Sequence, residues 1–123
     1  MEKYLVDTTV LVDHLRGKTK ASKFLERDDY LVSAITLAEL LQGARNKKEQ
    51  KIIEELISQL AVSWGNKTIN QLAIELIQVY FLKHNLRFLD ALIAATALQG
   101  NLILVTANTK HFQFISGLKL INF

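Results

Sequence analysis

Leu102-Ile103-Leu104-Val105 is apolar on both faces of any strand it could form. A strand of that kind suits the centre of a parallel sheet with helices packed on each side. Working outward from it, Tyr4-Leu5-Val6, Tyr30-Leu31-Val32, Ala61-Val62-Ser63-Trp64 and Leu118-Lys119-Leu120-Ile121 are further strand candidates. Segments of helical period lie between them. Ile52, Ile53, Leu56, Ile57 and Leu60 make one apolar stripe. Ile69, Leu72, Ala73, Leu76, Ile77 and Tyr80 make another, opened by a Thr68-x-x-Gln71 capping box. This alternation predicts an α/β fold, a three-layer α/β/α sandwich around a central, mainly parallel sheet.

Composition narrows the function classes. The 123 residues suffice for one compact domain, 1–123, and no proline, repeat or Gly/Ser-rich linker marks a boundary. The absence of cysteine excludes a disulfide framework, a thiol nucleophile and a thiolate zinc site, and accords with a reducing cytoplasm. Met1-Glu2-Lys3-Tyr4 does not open as a signal peptide does, and the longest apolar run, Ala91 to Leu98, is far short of the roughly 20 residues of a membrane span. The net charge is only +3, yet Arg16, Lys18, Lys20, Lys23 and Arg27 form one basic cluster and Arg45, Lys47, Lys48 and Lys51 another. No acidic residue follows Asp90. Such patches attract a polyanion, although lysines on a solvated helix face are also ordinary.

In a parallel α/β sheet, sites gather beyond the carboxyl ends of the strands. Asp7 follows the first strand candidate directly. Glu39 lies in the first turn of the helix expected after the second, and Asp90 opens the apolar helix Ala91–Leu98. Asn108 follows the strand that ends at Val105. Each acid also has a structural reading. Asp7 could cap the helix begun by Thr8, Glu39 could be the N3 member of a Thr36-x-x-Glu39 capping box, and Asp90 could be an N-cap. Asp90 strains that reading, because a carboxylate beside a buried helix loses hydration and needs a compensating charge or donors. Its one basic neighbour in sequence, Arg87, is expected to point elsewhere.

Three acids at one sheet edge repel one another unless a cation neutralises them. An all-oxygen donor set suits Mg²⁺ or Mn²⁺ rather than zinc. That constellation fits metal-assisted phosphodiester hydrolysis. Thr8 and Thr106 could orient water or phosphate, or could equally serve turn and strand-end chemistry, and Lys110 could contact a substrate backbone. Among the histidines, His14 and His84 fall on helical segments and His111 stands alone in its loop.

These stretches resemble a known family. Tyr4 to Gly17 resembles the first motif of the PIN domains of VapC toxins. Ser33 to Ala44 resembles the second, Asp90 to Ala97 the third, and Leu104 to Phe112 the fourth, with Ile115 to Leu120 closing the chain. The resemblance runs the full length in order and spacing. It implies a divalent-metal endoribonuclease that cuts structured RNA such as a tRNA or ribosomal RNA. Asp7, Glu39 and Asp90 match the family's acidic metal ligands, and the fourth acidic place is the amide Asn108. It further implies a homodimer silenced by a small VapB-type antitoxin whose peptide crosses the acidic groove, in a heterotetramer or larger complex. Apolar helices around Leu40-Leu41 and Ile52 to Leu60 could supply such a surface or could be plain core.

Other acidic α/β classes lack residues they need. A haloacid-dehalogenase-like phosphatase wants an aspartate at position 9, which is Thr9. A receiver domain wants a phosphoacceptor after its third strand, where Ser63-Trp64-Gly65 stands. The alternative with most in its favour is an inactive PIN-like RNA- or protein-binding module, for which Asn108 speaks.

Overall fold

The computed structural model describes residues 3–123, so Met1 and Glu2, part of the signal-peptide reading, lie outside the described residues. The chain runs β1 (Tyr4–Val6), α1 (Thr8–Leu15), α2 (Thr19–Phe24), β2 (Tyr30–Ser33), α3 (Ala34–Gln42), α4 (Lys47–Ile57), β3 (Val62–Ser63), α5 (Lys67–His84), α6 (Phe88–Gln99), β4 (Ile103–Thr106), a single 3-10 turn (Thr109–His111) and β5 (Leu120–Asn122). The five strands pair in the order β3-β2-β1-β4-β5, every pairing parallel. Among the described residues, no helix is long and apolar enough to cross a membrane.

Alternation along the two central strands builds two cores. Leu5 and Leu104 pack with Ile69, Ala73 and Leu76 of α5 and with the buried face of α6. Their neighbours Val6 and Val105 pack on the opposite side with Val10 and Leu11 of α1, Leu37 and Leu40 of α3, and Ile53 of α4. All four strand residues are fully buried, as a period of two in a two-sided sheet requires. Helix α6 is apolar all round and buried from Ala91 to Ala97. Four alanines in that stretch keep it thin enough to lie close to the sheet, and Thr96 satisfies its buried hydroxyl by donating to the Leu92 carbonyl at 2.7 Å.

Local chemistry moved several expected boundaries and caps. Strand β4 begins at Ile103, one residue later than the Leu102–Val105 run suggests, because the Leu102 amide donates to Ala97 at the end of α6; it runs on to Thr106, which pairs with Asn122. The last strand likewise starts at Leu120 rather than Leu118. The third holds only Val62 and Ser63, since Gly65 at φ +86° turns the chain and leaves Trp64 76% exposed. Helix α5 is capped by Asn66, whose side chain accepts from the Ile69 amide at 2.8 Å, and not by a Thr68 box. Helix α3 starts at Ala34 with Ser33 as its cap, which puts Glu39 in the second turn, out of reach of any N-terminal amide. Helix α6 starts at Phe88 after Arg87, so Asp90 is a first-turn residue and not the N-cap. The acids therefore do not serve the capping roles open to them, and their carboxylates are directed elsewhere.

Candidate active site

Parallel strands send their carboxyl ends to one edge, and the chain leaves that edge at Asp7 after β1 and at Ala107 after β4. The Asp7 amide donates to the Val105 carbonyl at 2.9 Å, which ties the two exits together. A cleft of about 600 Å³ opens there, lined by Asp7, Thr8, Thr9, Glu39, Arg87, Phe88, Leu89, Asp90, Asn108, His111 and Phe112. The three acids and the amide singled out in sequence thus share one cavity, although they come from four segments.

Asp7 occupies the N-cap position of α1 but makes no side-chain capping bond. It is 6% exposed, and its Oδ2 accepts from the Thr106 hydroxyl at 2.7 Å and from Thr9 at 3.3 Å. Thr9 also accepts from the Ala107 amide at 3.0 Å, so this residue bridges the β1 and β4 exits. Thr8 donates to Glu39 at 2.6 Å and lies 3.2 Å from the Thr36 hydroxyl. Asp90 receives the His111 ring, Nδ1 to Oδ2, at 3.1 Å.

Two expected substrate contacts are placed differently. Thr106 is fully buried, and its hydroxyl is spent on Asp7 and on accepting from the Asn108 amide at 2.9 Å. In this arrangement it holds Asp7 in place. Lys110 is exposed on the 3-10 turn and does not line the cleft. Two residues set aside in sequence do line it. Arg87 stands before α6, outside the helical register that would have turned it away. His111 is not alone: it is 21 residues from Asp90 in sequence and in hydrogen-bond contact with it.

The electrostatics agree with the geometry. Burial pushes the Asp90 carboxyl above its usual 3.8; the neighbouring His111 opposes this and the charge of Asp7 adds to it. A raised folded-state pKa means that ionised Asp90 is a liability in the fold. Its contribution to stability is present below about pH 3.8 and is lost as pH rises through the raised value. Asp90→Asn should therefore melt above wild type at neutral pH without added metal, the gap closing below the usual carboxylate pKa. Thermal melts across pH test this; an Asn variant less stable at pH 7 would contradict it.

Asp7, Glu39 and Asp90 are oxygen donors of the kind a hard divalent cation takes, and the charge of Asp7 bears on Asp90. As the side chains stand, no three His, Asp or Glu groups among the described residues converge closely enough to hold an ion, and Glu39 is hydrogen-bonded to Thr8.

A second groove of about 590 Å³ adjoins the first and shares Glu39 with it. Val12, Leu15 and Arg16 of the α1 side, Leu40 and Gly43 at α3, Arg45 after it, and Glu49, Ile52 and Ile53 of α4 line it. Ile52 is exposed there, whereas Leu56, Ile57 and Leu60 pack into the core, so the apolar stripe of α4 divides between the two uses. A concavity of about 660 Å³ between Trp64 and Ile74 is slightly larger than the acidic cleft, but its sole ionisable lining group is Lys67.

A parallel α/β/α sandwich with its carboxylates gathered at the carboxyl edge of the sheet defines a class of acidic-cleft α/β domains. Within that class the chain belongs to the PIN domain family, whose family model matches residues 4–116. It is 36% identical over 120 residues to Ribonuclease VapC10 of Mycobacterium tuberculosis, covering 94% of this chain and 90% of that protein. It is 31% identical over 121 residues to Ribonuclease VapC19 of the same species, covering 94% and 96%. A chain of a toxin-antitoxin complex from Klebsiella pneumoniae superposes with a TM-score of 0.81 at 30% identity, covering 97% of this chain and 96% of that one.

Proposed function

We propose that residues 1–123 form a single PIN-domain nuclease, the toxin of a type II toxin–antitoxin pair. In this reading it is a cytoplasmic endoribonuclease that hydrolyses RNA phosphodiester bonds with Mg²⁺ or Mn²⁺. The observation that carries the reading is the meeting of Asp7, Glu39 and Asp90 in one cleft. Relatives bearing the name Ribonuclease VapC support the reaction, and the Klebsiella complex supports the biological setting.

Asp7, Glu39 and Asp90 would hold the cation, which when bound supplies charge to the scissile phosphate and lowers the pKa of an attacking water. Thr106 and Thr9 fix the Asp7 carboxylate, and Thr8 holds Glu39. Arg87 supplies the positive charge that lines the cleft, suited to a phosphate flanking the cut. Lys110, exposed on the adjoining turn, would make a more distant backbone contact in a folded RNA such as a tRNA or ribosomal RNA. The adjoining groove, apolar along Val12, Leu15, Leu40, Ile52 and Ile53 and charged at Arg16, Arg45 and Glu49, suits a short amphipathic peptide of a VapB-type antitoxin. Because Glu39 lines both cavities, a basic side chain of that peptide would meet the acids. Two toxin protomers with their antitoxins would then form the homodimer-based complex.

The test is cleavage of total cellular RNA by the purified, antitoxin-free chain in Mn²⁺ or Mg²⁺, with a chelator as control. Discrete fragments that vanish on chelation are expected. Intact RNA from a folded sample would move the assignment to an inactive RNA- or protein-binding module.

A further inference from the structure

His111 and Asn108 reach the acidic cleft from the turn after β4, opposite the first turn of α6. The His111 Nδ1 lies 3.1 Å from Asp90 Oδ2, and the Asn108 Nδ2 lies 3.2 Å from each ring nitrogen. We infer that His111 is a positioning residue for Asp90, its ring set against the carboxylate from the turn after β4. This rests on the metal-dependent reading of the same cleft.

Elementary hydrogen-bond chemistry sets the direction of the contact. A carboxylate only accepts, so the proton of a neutral His111 ring sits on Nδ1. The Asn108 Nδ2, 3.2 Å from both ring nitrogens, stands over the ring face and not in line with either lone pair, so it packs on the imidazole without selecting where its proton sits.

The support is built rather than incidental. His111 is the one side-chain hydrogen-bond partner of Asp90 among the described residues, and Asp90 is half-buried beside the charge of Asp7. The turn is pinned by main-chain bonds: the amides of His111, Phe112 and Gln113 reach Asn108 and Thr109 at 3.2, 3.0 and 2.8 Å. Phe112 locks the next position into the core. A ring N–H held against the carboxylate orients it, which is the task of a residue behind a metal ligand.

Two variants of the full chain test this without relying on activity alone. His111→Ala should weaken Mn²⁺ binding, titrated calorimetrically without RNA, by about tenfold, the lower end of what losing such a support does. His111→Gln, which keeps a side-chain N–H donor, should restore most of that affinity. Unchanged Mn²⁺ affinity in His111→Ala overturns the inference while leaving the nuclease reading intact, provided wild type binds metal and cuts RNA. Failure of His111→Gln to restore binding, with a changed preference among metals, would make His111 a ligand and also overturn it. A wild type that neither binds Mn²⁺ nor cleaves RNA removes both readings together.

Discussion

Asp7→Asn is expected to lower RNA cleavage by at least about a hundredfold, the loss that removing one well-placed electrostatic group commonly brings, with the fold retained. The substitution keeps the size of the side chain and an oxygen that can still accept from Thr106 and Thr9 at the 2.7 and 3.3 Å positions. What it removes is the charge. Asp7 is the most enclosed of the three acids, and its carboxylate makes no capping bond to α1 that could explain it structurally. Alanine would be a poorer probe, because it would orphan the buried Thr106 hydroxyl and mix a stability loss into the kinetics. Initial rates on a defined RNA, compared at equal folded fraction, decide the matter. Wild-type cleavage by a folded Asp7→Asn protein would remove Asp7 from the chemistry.

The layered fold was legible because its cause is periodic. Leu104 and Val105 must face opposite cores if both are buried, and only a sheet covered on two sides allows that. The acids were legible for a related reason: a residue at the end of a parallel strand has a known edge to stand on. What sequence left open for each acid was the choice between a cap and a free carboxylate. Placement of the helix starts resolved it: Ser33 takes the cap at α3, Arg87 takes the N-cap position at α6, and Asp7 occupies its cap position without the bond.

Arg87 and His111 were missed because no period reaches them. Arg87 was judged as if helical, and the helix begins one residue later. His111 meets Asp90 only because β4 and α6 end and begin at the same sheet edge. The available signal was the three-residue spacing from Asn108, which a single 3-10 turn brings onto one side. For Thr106 the sequence leaves a strand-end role and a substrate contact open; in the fold it is fully buried, paired with Asn122, and its hydroxyl donates to Asp7.

The other large effect is expected at Phe112, where the site and the core are one structure. Phe112 is 1% exposed, the largest fully buried side chain among the described residues, and it also lines the acidic cleft. It belongs to the same cluster as Leu5, Leu104, Ile115 and the alanines of α6, whose small side chains leave room for a ring. Phe112→Ala should destabilise the protein by about 3–5 kcal/mol, the range for emptying a buried aromatic site, against a total of about 5–15 kcal/mol for a domain. Phe112→Leu, which keeps most of the volume, should lose less than about 1.5 kcal/mol. Urea unfolding should show the midpoint falling with an unchanged slope. The neighbouring turn carries Asn108 and His111, so cleavage by Phe112→Ala should fall further than its folded fraction explains. An alanine variant within about 1 kcal/mol of wild type, well below the usual penalty, would mean that the turn can collapse onto α6 and that the ring does not anchor it. A full loss of stability with normal cleavage per folded molecule would separate the two roles, leaving Phe112 to the core and the placement of His111 to the main-chain bonds of the turn.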